Sequence, residues 1–294
     1  MTMLQRQPAS VRTVAAPPSA WCSIAAVARR ELRDAVRSRW FLLYTVAFAV
    51  LGLAVSFMSA ASAGGAGLAG FGRTTAGLIN LVLLVVPLMA LTAGAGSIAS
   101  DRERGMLAYV LAQPLGSWEL LLGKFVALAG ALTASICLGL GACAIVLASQ
   151  GLRTSPQSIL WLAGLSVLLA MAMLSVGLLI SVLARRAAVG VGTAIFVWLL
   201  LVFVSDLALM AGAVALRLRI ESLFGLALLN PLQVFKMWSL HSVEASLDVL
   251  GPAGLYATEE FGRKLHAIFA IALGAWTALP LLVAGLVLSR RSPL

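Results

Sequence analysis

The sequence predicts an all-α, polytopic membrane protein. Three observations predict it: charge too sparse for a soluble surface, six apolar runs of membrane length, and basic residues gathered on one side of those runs. Of 294 residues, 61% are hydrophobic and 11% charged, and the mean hydropathy is +1.02. A soluble domain carries about 25% charged residues, so lipid takes the place of water over most of this surface. A spanning helix needs roughly 20 apolar residues, because the hydrocarbon core is about 30 Å thick and each residue rises about 1.5 Å. Runs at about 41–61, 77–98, 125–149, 159–183, 188–210 and 267–288 qualify. Backbone groups in lipid must bond internally, and uninterrupted runs of this length do so as helices, not as the alternating strands of a barrel.

The elements follow in order. Residues 1–22 mix Pro, Ala, Ser, Arg and Gln without periodicity and are expected to be a disordered tail, leaving 23–294 as a single transmembrane domain. Pro17 and Pro18 break the stretch that a cleavable signal would need. From 23 to 40, Ile24, Val27, Ala28, Leu32, Ala35 and Val36 recur at helical spacing among Arg29, Arg30, Arg33 and Arg37. An amphipathic helix on the inner membrane surface, with its arginines near lipid phosphates, is expected; a plain basic topology anchor fits the same residues. The first outer loop, SAGGAGLAGFG, is glycine-rich and cannot hold a ligand alone.

Between the second and third runs the chain turns polar, in SDRERGMLAYVLAQPLGSWELLLGKF at 100–125. Ser100 and Glu103 have capping-box spacing, which predicts a helix start there. Met106, Leu107, Val110 and Leu111 make one apolar stripe, Pro114 ends the helix, and Ser117 starts the next. A plain connection needs only a few residues. A capped amphipathic helix is instead a surface that a partner protein or the lipid interface touches. The loop ARRAA at 184–188, with Arg185 and Arg186, is expected beside it.

Asp206 is the acidic residue inside an apolar run, 19 residues beyond Ala187, which at 1.5 Å per residue is about 28 Å and therefore near the outer boundary. A carboxylate there needs compensation, for which Arg217 and Arg219 are candidates. It reads either as an outer-vestibule or gate residue or as part of a structural ion pair. In IESLFGLALLNPLQVFKMWSL, Asn230 and Pro231 separate two helices too short to span, expected to be interfacial or re-entrant on the outer side. Phe235 and Trp238 are expected at headgroup depth or over a dimer mouth. Small residues such as Gly130, Gly139, Gly190 and Gly192 permit close helix approach.

The net charge of +10 does not point to nucleic acid, because of where the charge falls. Fourteen of the 21 basic residues lie in the first tail, the 100–124 region, the 184–188 loop and the C-terminus. Basic residues near span ends stay in the cytoplasm, so both termini are expected inside. The chain has no G-x-x-x-x-G-K-[ST], H-E-x-x-H, C-x-x-C or G-x-S-x-G. A P-loop, a zinc protease site and a serine-hydrolase elbow are therefore absent from the sequence. Cys22, Cys137 and Cys143 suggest no disulfide framework, and His241 and His266 have no further ligand at metal spacing. No catalytic, cofactor-binding or metal-binding residue is expected.

An amphipathic N-terminal helix, six spans, the elbow DRERGMLAYVLAQPLGSWELLLGKF and a helical outer segment before the last span resemble the ABC-2 family of ABC transporter permeases. ARRELRDAVRSRW, VSDLALM and LLNPLQVFKMWSL are further similar to the permease subunit of the NosDFY-type transporter, which serves copper-site maturation of nitrous oxide reductase. The resemblance implies a multi-pass protein of the bacterial inner membrane, working as a homodimer. It implies two copies of a separate cytoplasmic ATPase that bind the ATP, and a periplasmic accessory protein. It makes Asp101, Arg102, Glu103, Arg104, Met106, Leu107, Val110 and Leu111 the ATPase-coupling region, with Arg185 and Arg186 as a lesser contact, and 24–39 the connecting helix. It sets Asp206, Asn230, Pro231 and Phe235 at the outer vestibule. Where that subfamily carries an acidic residue just after the Asn-Pro break, this chain has Leu232 and Gln233. An ABC-2 exporter of lipids, peptides or drugs, and a non-transporting membrane assembly factor, are the alternatives.

Overall fold

A computed structural model describes residues 20–62, 67–106, 116–149, 156–204, 206–207, 210–211, 220–242 and 264–291. All the regular structure among them is helical. Helix α1 is Ala20–Arg37, α2 Arg39–Ser62, α3 Gly67–Glu103, α4 Ser117–Ser149, α5 Pro156–Leu183 and α6 Ala187–Leu199. A π-helical turn, Leu200–Val204, continues α6; α7 is Ile220–Leu228, α8 Pro231–Ser242 and α9 Lys264–Arg291. Six segments are long and apolar enough to cross a membrane, Phe41–Met58, Ala76–Glu103, Ser117–Ser149, Gln157–Leu183, Ala187–Val204 and Lys264–Arg290. They coincide with the six runs expected from hydropathy. α1 takes in Ala20, Trp21 and Cys22, the last three residues of the expected tail, while 1–19 and 243–263 lie outside the described residues.

Helix α5 is the centre of the bundle, with 67% of its span buried, against 11% of the span formed by α6 and the π turn. The reason lies in α3 and α5, which cross backbone to backbone. A Cβ on Gly177 would stand 2.6 Å from the Leu91 carbonyl oxygen, and one on Gly94 would stand 2.8 Å from that of Leu174. In lipid, where apolar contact between helices gains little over contact with acyl chains, such close approach is a main source of association. Gly139 against Phe48 and Gly190 against the Ala95 carbonyl repeat the arrangement, while Gly130 and Gly192 face open space. Leu91, Leu165, Leu169, Leu174 and Leu178 fill the core around the crossing. Exposed Leu42, Val46, Val50, Val189 and Phe196 cover α2 and α6 with apolar surface suited to lipid or to another helix.

Ser100 and Glu103 do not begin a helix. α3 runs through them and stops at Gly105, whose φ of 71° is left-handed. Gly105 donates its N–H to the Arg102 carbonyl, closing the helix as glycine does at a C-terminus. The stretch 107–115, with Leu107, Val110, Leu111 and Pro114, lies outside the described residues. Ser117 begins α4 as expected, and Glu119 accepts the Gly116 N–H in its first turn.

Candidate functional site: a welded charged end and an open distal cleft

The bundle has one charged end and one distal end. At the charged end, Lys124 is 1% exposed, eight residues into α4. Its ammonium meets Glu31 of α1 at 2.6 Å and Asp101 of α3 at 2.7 Å. A buried ammonium is tolerable only with such partners, so this lysine fixes α1 and α3 against α4. Val27 of α1 lies over Gly123, where a Cβ would stand 2.7 Å away. Burial of the glycine face brings α1 close enough for Glu31 to reach. Ile24, Val27 and Ala35 are thus turned toward α4 or the core, while Leu32 and Val36 of the same expected apolar stripe are exposed.

The next two residues of α3 grip the α5–α6 turn. Arg102 donates to the carbonyls of Val182, at 3.3 Å, and Ala184. Glu103 accepts the Ala187 N–H at 3.1 Å, which places an anion at the N-terminus of α6. Ser181 adds a third tie, its hydroxyl accepting the backbone N–H groups of Ile98 and Ala99, both at 2.9 Å. Three of the four charges of DRER therefore bind within the chain. Arg104 and Met106 are exposed, as are Arg185 and Arg186 in the turn. Trp118 covers Gly285 of α9, so the described chain also ends at the charged end.

At the distal end, Asn230 caps α8. Its Oδ1 accepts the Leu232 N–H at 2.9 Å, with Pro231 at the first helical position. Its amide donates to the Leu201 carbonyl in the π turn at 2.6 Å. One side chain thus fixes both the start of α8 and its seat against the fifth span. α7 and α8 meet at 111°, the break expected from Asn230-Pro231. Phe235 departs from expectation: it is fully buried, and Trp238 nearly so, in a core shared with Phe224 and Phe269. Pro231, Leu232, Val234 and Phe235 are all buried because α8 packs its length into the bundle. The Phe235 ring is therefore a core side chain and leaves the vestibule to polar groups.

Asp206 finds Gln233, whose amide donates to its carboxylate at 2.6 Å. Arg217 and Arg219, the partners expected for it, lie outside the described residues. Gln233 is the residue at which the chain departs from the acidic pattern, and a donor there is what a carboxylate requires. Asp206, Gln233, Lys236 and Asn80 share a cavity of about 160 Å³. His241, in the last turn of α8 and outside the six spans, packs at a tilt against His266 with ring centres 5.0 Å apart. Burial first, and His266 second, hold the His241 imidazole below its ordinary value. Among the described residues no three metal-binding side chains come together.

Glu31 and Ser181 carry no signal of their roles in the sequence, and Lys124 and Lys236 stand out there only as basic residues outside the six apolar runs. The signal for Lys124 was that it is the one charged residue between Glu119 and the end of its helix at Ser149. Nothing in spacing alone joins Glu31 to it across 93 residues.

Residues 25–292 match the sequence profile of the ABC-2 family transporter proteins. The chain belongs to the ABC-2 transporter family. Two relatives agree, each called probable ABC transporter permease protein NosY. The one from Stutzerimonas stutzeri is 31% identical over 271 residues, covering 90% of this chain and 97% of the relative. The one from Pseudomonas aeruginosa PAO1 is 31% identical over 226 residues, 75% of this chain and 82% of the relative. This permease is the transmembrane subunit of an ABC transporter, a multi-pass protein of the bacterial inner membrane. In an ABC transporter ATP is bound by an ATPase partner, and the permease family is not itself enzymatic.

Proposed function

We propose that this permease is driven by two copies of a separate cytoplasmic ATPase that dock at its charged end. It works as a homodimer with both termini in the cytoplasm, and it moves a species needed for copper-site maturation of nitrous oxide reductase, served by a periplasmic accessory protein. The observation that carries the coupling reading is the weld: Lys124 joins α1, α3 and α4, and Arg102 and Glu103 join α3 to the α5–α6 turn. Motion delivered to any of these elements then reaches four spans together, since packed interfaces pass displacement as blocks. The roles within DRER divide accordingly. Asp101, Arg102 and Glu103 are relay residues, whereas Arg104, Met106, Leu107, Val110, Leu111, Arg185 and Arg186 form the contact with the ATPase.

The cargo reading rests on the NosY relatives and on the stretches ARRELRDAVRSRW, VSDLALM and LLNPLQVFKMWSL. Apolar surface on α2 and α6 supplies area for a second copy of the chain. Co-expression with an ABC ATPase subunit from the same organism tests the proposal. A stable complex with more than one permease per assembly, whose ATP hydrolysis falls on replacing Arg104 and Met106, is expected. A permease that purifies without any ATPase overturns the powered-transporter reading and favours an assembly factor.

A further inference from the structure

The cavity between α3, the π turn and α8 holds two opposite charges that do not meet. Asp206 and Lys236 both line it, yet the ion pairs among the described residues are those of Lys124. Among the described residues the Asp206 carboxylate takes one hydrogen bond, from Gln233. An ionised carboxylate has about four acceptor sites, so among those residues it has acceptor capacity to spare. The Lys236 ammonium is half-buried and makes no hydrogen bond or ion pair among the described residues. Asn80 adds its amide to the same wall.

Charges at membrane depth are costly unless something compensates them. An anion alone would satisfy Lys236 and repel Asp206, and a cation alone would do the reverse. A ligand carrying both signs compensates the two together. Size narrows the choice: a cavity of about 150 Å³ holds a molecule like benzene, and this one is about 160 Å³. The remaining wall is apolar, and Leu84 within it is 49% exposed on α3. The cleft therefore adjoins an exposed apolar face of the bundle.

We propose that this cleft binds a small zwitterion, its ammonium against Asp206 and its acidic group against Lys236. That chemistry belongs both to the headgroup of an ethanolamine phospholipid and to a free amino acid. The inference deepens the reading of Asp206 as a vestibule residue and does not depend on ATPase coupling, so the two fail separately.

The test uses the full chain in nanodiscs of phosphatidylglycerol. In one arm phosphatidylethanolamine is added, and the lipid retained is read by native mass spectrometry. In the other, glycine binding is read by calorimetry. Preferential retention of phosphatidylethanolamine alone identifies a headgroup, and glycine binding identifies a free solute; either supports the site. Asp206→Asn and Lys236→Met each lower that binding about tenfold, the scale of one lost charge-assisted contact. The exchanged variant Asp206→Lys/Lys236→Asp, which keeps both charges, restores it. Unfolding temperatures of all variants establish that the fold is kept. Equal retention of the two lipids with no glycine binding overturns the proposal, as does binding by folded single variants that matches the parent.

Discussion

The two ends of this permease use the same ingredients, a lysine facing acidic or amide side chains from other helices, and reach opposite results. At the charged end Lys124 is sealed between two carboxylates at 2.6 and 2.7 Å. At the distal end Lys236 and Asp206 look into a shared space without touching. The difference begins with packing. Gly123 lets α1 lie on α4, so Glu31 is carried to Lys124, whereas the π turn of the fifth span buries none of its residues and Asp206 is exposed. A closed charge network makes a block, and an open one makes a place to bind. The permease has its block where the ATPase is proposed to push and its opening at the far end.

Breaking the block should have the largest effect. Glu31→Gln with Asp101→Asn leaves the buried Lys124 ammonium without a counter-charge, an expected loss of about 3–5 kcal/mol, seen as a fall in the unfolding temperature in detergent. Each single variant keeps one partner and should cost much less than half of that. Next comes the crossing beneath the block. Gly177→Ala sets a methyl against the Leu91 carbonyl and Gly94, with an expected cost of about 1–3 kcal/mol. Gly192→Ala, with nothing nearby, should be neutral in the same assay.

The distal end should respond more weakly. Asn230→Ala removes the α8 cap and the tie to Leu201, an expected loss of about 1–2 kcal/mol, with hydrogen exchange rising in α8 before it rises in α4. Smallest is the pH effect of His241. Its folded value lies below the ordinary 6.5, so the unfolded chain binds more protons as pH falls. Its contribution is full above about pH 6.5 and lost as pH drops through the lower folded value. The unfolding temperature should therefore decline from pH 7 to pH 5, and His241→Gln should flatten that decline.

The six spans, the first helix and the Asn230-Pro231 break were legible because each is a local pattern: apolar length, helical spacing, or a cap followed by proline. The charged end was legible in place and not in wiring. Ser100 and Glu103 have the spacing of a helix start, yet the hydrophobic run of α3 carries the helix past them and Gly105 ends it. Glu103 then serves Ala187, 84 residues away. Long-range pairs of this kind depend on how helices cross, which here is set by Gly94 and Gly177 rather than by any feature of DRER. Phe235 shows the same limit, since an aromatic on a short amphipathic helix fits headgroup and core alike until the packing of α8 decides.

If the weld transmits force, α1, α3, α4 and the α5–α6 turn move as one body. Cryo-electron microscopy of the permease with its ATPase, without nucleotide and with a non-hydrolysable ATP analogue, tests it most directly. Lys124 should stay paired with Glu31 and Asp101, and Glu103 with Ala187, in both states while the four elements shift together. A Lys124 that changes partners between the states, or an α1 that moves independently of α4, would contradict it.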